Sequence, residues 1–150
     1  MKIIIIIPAR GGSKRIPRKN MVMLKNKPLV SYTLDALKFL GLEKSTFVST
    51  DDQNIKSLSS KEGFNVIDRP KLLCGDKIST ESVIMHVLET YLNLKKPMPD
   101  WVMTIPPTSP LRKLETLKLF IKLSETLDSD IDCAMTISES RGDFWLNKEN

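Results

Sequence analysis

Cysteine and histidine are almost missing from this chain, which has two Cys and one His in 150 residues. Cys74 and Cys133 have neither CxxC spacing nor a Cys/His cluster around them, so zinc and a disulfide framework are both poorly supported and reduced, structural thiols are expected. His86 is the single histidine, and on its expected helix it falls away from the apolar stripe, which favours a surface or supporting position over acid–base chemistry. Long apolar runs are lacking too. The longest, Ile3 to Ile7, is far too short to cross a bilayer, and no extended apolar signal region or small-residue cleavage site opens the chain. A cytoplasmic location and no membrane partner are expected. There is no internal repeat and no low-complexity segment, and 41% hydrophobic with 27% charged residues is ordinary for one soluble domain able to bury a core.

Acidic residues are absent from the first 27 positions, which carry eight cations: Lys2, Arg10, Lys14, Arg15, Arg18, Lys19, Lys25 and Lys27. The formal charge is +5, from 23 Lys and Arg against 18 Asp and Glu, so the remainder of the chain nets −3. A nucleic-acid surface spreads its cations along a face with aromatics among them, whereas this basic segment is short and has no aromatic residue. A small polyanion fits better than a long one, and nucleic-acid binding ranks last among the functions considered.

The isoleucine run closed by Pro8 has the pattern of a strand buried on both faces of a parallel sheet. Further strands are expected at 46–49, 65–68, 101–105 and 132–137. Helices are expected from Pro28 to about Phe39, after Thr50 and Gln53 with their capping-box spacing, from Ser79 or Thr80 along the stripe Val83, Ile84, Val87, Leu88, Tyr91 and Leu92, and from about Leu111 to Leu127 with Ser109 and Pro110 as cap and first residue. This alternation gives a three-layer α/β domain with a mostly parallel sheet. The residues beyond Ile137 supply no further element, and the pair Phe144 and Trp145 is expected to pack on something outside these 150 residues. The expectation is a nucleotide-handling domain, 1–150, incomplete at its C-terminal side.

Parallel α/β sheets bind ligands beyond the carboxyl ends of their strands. Three segments lie there: Arg10 to Asn20, Ser49 to Asp52, and Pro106 to Arg112. In the first, Gly11 and Gly12 omit two Cβ atoms so that backbone N–H groups can approach an anion, while Lys14, Arg15, Arg18 and Lys19 neutralise it. A triphosphate suits this loop. The spacing is neither GxxxxGK[ST] nor GxGxxG, and taken alone the loop also reads as a solvated basic turn. Asp51 and Asp52 read as helix-start residues favoured by the helix dipole rather than metal ligands. The scattered methionines, with Met21 and Met23, read as packing, and Lys113, Glu115, Lys118, Lys122 and Glu125 as a solvated helix face.

Ile7-Pro8-Ala9-Arg10-Gly11-Gly12-Ser13-Lys14, followed by Lys19-Asn20, resembles the nucleotide-binding signature of the acylneuraminate cytidylyltransferases, the CMP-sialic acid synthetases with their legionaminate and pseudaminate relatives. Val48-Ser49-Thr50-Asp51-Asp52, Arg69-Pro70 with Asp76, and Pro107-Thr108-Ser109-Pro110-Leu111-Arg112 agree in order and spacing. The resemblance implies a Rossmann-like nucleotide-diphosphosugar transferase fold and transfer of CMP from CTP to a nine-carbon α-keto acid sugar, with pyrophosphate released. It also implies Mg²⁺, whose ligands are expected outside this segment, and a homodimer. By the same resemblance, Lys19 and Arg10 carry the chemistry. The nucleotide is contacted by Arg10, Gly11, Gly12, Ser13, Lys14, Lys19, Asn20, Arg69 and Thr80, and the sugar by Thr108, Ser109 and Arg112. Two positions depart from the family pattern. Pro106 replaces a glutamine and removes its amide donors and acceptor, and Arg15 replaces a glycine, adding a cation while restricting the backbone. These leave a nucleotidyltransferase for another acidic sugar, or a non-catalytic nucleotide-binding fragment, as alternatives.

Overall fold

In the computed structural model, which describes residues 2–127 and 130–137, the isoleucine run becomes strand β1 (Ile3–Pro8). A two-stranded hairpin follows, β2 (Met23–Leu24) with β3 (Lys27–Pro28), then helix α1 (Leu29–Phe39), strand β4 (Thr46–Thr50) and helix α2 (Gln53–Lys61). Strand β5 (Asn65–Asp68), helix α3 (Thr80–Asn93), strand β6 (Trp101–Thr104) and helix α4 (Leu114–Ser124) complete the described elements. The main sheet has the order β5-β4-β1-β6 and every pairing in it is parallel.

Alternation along β1 divides the core. Ile5 and Ile7 face a cluster with Val30, Leu34 and Leu37 of α1, Ile55 of α2 and Leu117 of α4. Ile4 and Ile6 face the opposite cluster with Phe47, Ile67 and, from α3, Val87 and Tyr91. Three helices therefore cover one face and one helix the other. That is the three-layer α/β architecture expected from the sequence, and it explains why β1 needs no polar alternation.

Several boundaries differ for local reasons. The cap of α2 is Asp52, whose Oδ1 accepts from the N–H groups of Asn54 at 2.8 Å and Ile55 at 3.1 Å, while Thr50 stays in β4. The expected helix from Leu111 begins instead at Leu114, without a side-chain cap, because residues 109–113 continue the turn that leaves β6. No strand forms at 132–137, where residues 130–137 run without regular structure. The hairpin was not anticipated, since its strands are two residues long and its turn carries Lys25 at φ 54 rather than a glycine. Phe144 and Trp145 lie outside the described residues.

Candidate functional site

β1 is flanked by β4, reached through α1, and by β6, which joins its other side only after β5 and α3. Connections thus leave β1 in opposite directions, and a crevice opens beyond the carboxyl ends of β1 and β6 at this switch in strand order. A cleft of ≈110 Å³ occupies it, lined by Pro8, Arg10, Gly12, Ser13, Lys19 and Asn20 on one side and Pro106, Pro107 and Thr108 on the other. A larger hollow of ≈850 Å³ flanks β6 and is walled mainly by apolar side chains such as Trp101, Met103, Phe120 and Leu123. Among the described residues that line it there is no cationic side chain.

The path of the basic loop is set from below. Ser49, at the end of β4, receives the Ala9 N–H on its carbonyl at 3.0 Å, which extends the β1–β4 ladder one step into the loop. Asp51 then accepts the Gly11 N–H at 2.8 Å. A Cβ on Gly11 would lie 2.9 Å from Asp52 Cβ, whereas one on Gly12 would meet nothing within 4 Å. The glycine pair therefore has two functions: Gly11 lets the loop pass the α2 cap, and Gly12 leaves open space at the cleft. Of the two N–H groups expected to face an anion, that of Gly11 is already bonded to a carboxylate.

Arg18 adopts a left-handed conformation, φ 49 and ψ 38, and turns the chain into a short 3-10 helix at Lys19–Met21. This turn brings Lys19 to the cleft and buries Asn20, whose Nδ2 donates to the Arg10 carbonyl at 2.9 Å. Asn20 Oδ1 is buried with no hydrogen-bond partner. An orphan acceptor at a cleft wall is expensive unless something donates to it.

Arg10 and Lys14 are held by one carboxylate. Arg10 Nη2 donates to Asp76 Oδ1 at 2.7 Å and its Nη1 to the Cys74 carbonyl at 2.8 Å, and Lys14 Nζ lies 2.8 Å from Asp76 Oδ2. These hydrogen bonds from Lys14 and Arg10 hold the Asp76 carboxyl below its ordinary pKa. For Asp51, burial pushes the pKa up, but the N–H of Gly11 and the other donors around it outweigh burial and the net direction is down.

Arg69 is buried, 7% exposed, and does not line the cleft. Its Nε donates to Ser49 Oγ at 3.1 Å and its Nη2 to the Ser49 carbonyl at 2.8 Å. Burial lowers its pKa, with Cys74 and Asp51 opposing that shift. Its place is beneath the loop, where it grips the same carbonyl that holds Ala9, a long-range role that no local sequence signal announces. Thr80 is exposed at the first turn of α3, next to the cap Ser79, and is not at the cleft wall. Thr108 reaches the cleft. Ser109 is exposed beside it, and Arg112 folds back so that Nη2 donates to the Pro106 carbonyl at 3.3 Å. His86 is half-buried on α3 with an unpartnered Nδ1, away from the cleft. Among the described residues no three His, Cys, Asp or Glu side chains gather as a metal-ligand set, and no helix is long and apolar enough to cross a membrane.

Residues 4–131 match the family model described as Cytidylyltransferase. The chain belongs to the cytidylyltransferase family. It is 33% identical over 139 residues to the N-acylneuraminate cytidylyltransferase of Escherichia coli O18:K1:H7, covering 93% of this chain and 32% of that protein. It is 37% identical over 119 residues to the pseudaminic acid cytidylyltransferase of Campylobacter jejuni, covering 79% of this chain and 51% of that one. With the CMP-N,N'-diacetyllegionaminic acid synthase of Legionella pneumophila it shares 32% identity over 141 residues, or 92% of this chain and 60% of the relative. The chain thus spans between about a third and three fifths of the length of these curated relatives. Its fold is that of the CTP complex of CMP:2-keto-3-deoxy-manno-octonic acid synthetase, with a TM-score of 0.66 at 20% identity over 84% of this chain and 48% of that one. The family resemblance and the Rossmann-like fold read from the sequence are both borne out.

Proposed function

We propose that this chain carries the CTP-binding half of a CMP-nonulosonate synthetase. In the reaction, the anomeric hydroxyl oxygen of a nine-carbon α-keto acid sugar bonds to the α-phosphorus of CTP. The bond from that phosphorus to the oxygen bridging to the β-phosphate breaks, pyrophosphate leaves and the hydroxyl loses its proton. The observation that carries the reading is the convergence of Arg10, Gly12, Ser13, Lys19 and Asn20 with Thr108 on one cleft at the switch in strand order. The names of the related proteins from Escherichia coli, Campylobacter and Legionella, all CMP-transferring enzymes for sugars of this kind, support the nucleotide and the sugar class.

In this reading Lys19 and Arg10 stabilise charge that builds on the phosphates in the transition state, and the open N–H of Gly12 with Ser13 and Lys14 seats the triphosphate. Asn20 Oδ1, the buried acceptor without a partner, takes a hydrogen bond from a nucleotide hydroxyl. Thr108 and Ser109 meet the sugar, with Arg112 released from the Pro106 carbonyl to reach its carboxylate. Arg69 supports the nucleotide loop through Ser49, and Thr80 stands at the start of α3 outside the cleft lining, as a nucleotide contact from the rim only. Magnesium would neutralise part of the triphosphate charge, but the described residues offer no ligand set for it and no step is derived through it. A homodimer, a cytoplasmic location and no nucleic-acid partner complete the proposal.

A thermal-shift titration of the chain with CTP, GTP, UTP and ATP tests the nucleotide half, because a ligand that binds only the folded state raises its apparent stability. A shift selective for CTP is expected, and Lys19→Ala should reduce it while leaving the unliganded melting temperature unchanged. Equal shifts for all four nucleotides would reduce the cleft to a general anion site. Pro106 lines the cleft where the family pattern has glutamine, which favours a second reading with another acidic sugar. Pyrophosphate release measured with a panel of nonulosonates and 2-keto-3-deoxy-manno-octonic acid decides between the two.

A further inference from the structure

Asp76 divides its two carboxylate oxygens between a guanidinium and an ammonium, Oδ1 to Arg10 at 2.7 Å and Oδ2 to Lys14 at 2.8 Å. Two anionic oxygens shared by such a pair of cations are what a bound phosphate would present to the same side chains. The Arg10 fork is also occupied at its second terminal nitrogen by the Cys74 carbonyl. Both terminal nitrogens of Arg10 are therefore directed at the 74–76 turn.

The segment that carries Asp76 has few other ties. Leu73, Cys74 and Ile78 donate their backbone N–H groups to Pro70, Lys71 and Gly75, all within the segment itself. Cys74 Sγ donates to the Pro70 carbonyl, and the same side chain lies beside Asp51. Gly75 through Thr80 are exposed and Leu72 is 75% exposed, Leu73 and Cys74 are half-buried, and no residue of the segment is fully buried in the core. What holds it across the mouth of the basic loop is mainly the grip of Arg10 and Lys14.

We propose that Asp76 stands in for the nucleotide's phosphate: it keeps Arg10 and Lys14 paired while the cleft is empty, and on binding its carboxylate is exchanged for phosphate oxygens, which frees residues 71–78 from the loop. This rests on the reading of the loop as a triphosphate site. The exchange makes the site selective by charge. A single phosphate brings little more charge than the carboxylate it must displace, whereas a triphosphate brings several charges and reaches Lys19 and the Gly12 N–H at the same time. An internal competitor of this kind also keeps a loop with so many cations from capturing ordinary cellular anions.

The test is calorimetric titration of the chain and of its Asp76→Asn and Asp76→Glu variants with inorganic tripolyphosphate, orthophosphate, CTP and, for comparison, ATP, GTP and UTP. Asp76→Asn alters an exposed, nearly isosteric side chain and should fold normally. It is expected to bind tripolyphosphate and CTP about three- to tenfold more tightly, the scale of losing two surface ion pairs, while Asp76→Glu stays near the parent. Unchanged binding in Asp76→Asn overturns the exchange, and weaker binding overturns it in favour of Asp76 as an organiser of Arg10. If tripolyphosphate tightens but CTP is bound no better than other nucleotides, the exchange stands and the cytidylyl reading fails. If CTP binds selectively with no gain in the variant, the reading stands and the exchange fails. Absence of tripolyphosphate binding to every form overturns both. Tryptic cleavage after Lys71 and Lys77 supplies a readout independent of affinity: it should quicken with tripolyphosphate, and in Asp76→Asn without ligand, and protection in either case overturns the proposal.

Discussion

The Ser49 carbonyl accepts two hydrogen bonds, from the Ala9 N–H and from Arg69 Nη2, and Ser49 Oγ accepts a third from Arg69 Nε. All three are buried, so removing the guanidinium leaves the hydroxyl without its donor and loosens the seat of the loop. Arg69→Ala is expected to lower unfolding free energy by about 2–3 kcal/mol in urea titrations, and a loss confined to CTP affinity would instead put its guanidinium on the ligand. The two glycines separate in the same way. Gly11→Ala forces a Cβ to within 2.9 Å of Asp52 Cβ and should destabilise by about 1–3 kcal/mol. Gly12→Ala has room, so its melting temperature should stay close to the parent's while its CTP affinity falls. Equal destabilisation by both would show that the loop tolerates no Cβ for reasons unrelated to the cleft.

Among the elements, α3 was legible because its stripe and its cap agree, although Leu92, expected on the stripe, is 40% exposed. Val83, Val87 and Tyr91 are buried, the last two in the cluster with Ile4 and Ile6 of β1 and Phe47 of β4, and the Ser79 hydroxyl accepts the Ser82 N–H at 3.2 Å. Ser79→Ala should cost about 1 kcal/mol in chemical denaturation, and no change would leave the cap role with a neighbour. β1 was legible from five consecutive isoleucines, and β4 and β5 from their β-branched residues. The start of α4 was not, because Ser109-Pro110 is a good helix opening that the turn out of β6 overrides, and propensity yields to tertiary context there. The hairpin has two paired residues per strand, too few to leave a periodicity in the sequence. At the site, Arg10, Gly12, Ser13, Lys19 and Asn20 line the cleft with Thr108, whereas Gly11 and Lys14 of the same loop, and Arg69 and Thr80, do not, since sequence gives a residue's neighbourhood along the backbone and not the direction of its side chain.

For the whole molecule, the paired carboxylates set the response to acid. Asp51, Asp76, Glu62 and Glu81 all have lowered pKa values: Asp51 through the Gly11 N–H and other donors against opposing burial, Asp76 through Lys14 and Arg10, Glu62 through Lys38, and Glu81 through its own backbone N–H and Ser79. Groups lowered on folding stabilise the folded state above their unfolded values, near about 4, and that contribution disappears as pH falls through the lower folded values. Unfolding free energy from urea titrations should be level from pH 7 to 5 and decline below about pH 4, with each exposed pair contributing little. A decline that begins between pH 7 and 5 would overturn this account.

The central strand has a consequence for how this protein is made. Ile3 pairs with Trp101 and Ile6 with Thr104, so during synthesis this strand is completed only when one roughly a hundred residues later emerges. At about 5–20 residues per second that interval is on the order of five to twenty seconds. During it, five isoleucines wait with one edge open, in a window of the kind that seeds aggregation. Lys2 and Pro8 are the only interruptions at its two ends. Yield of soluble protein should therefore depend on chaperone supply during synthesis more than on the final stability of the fold.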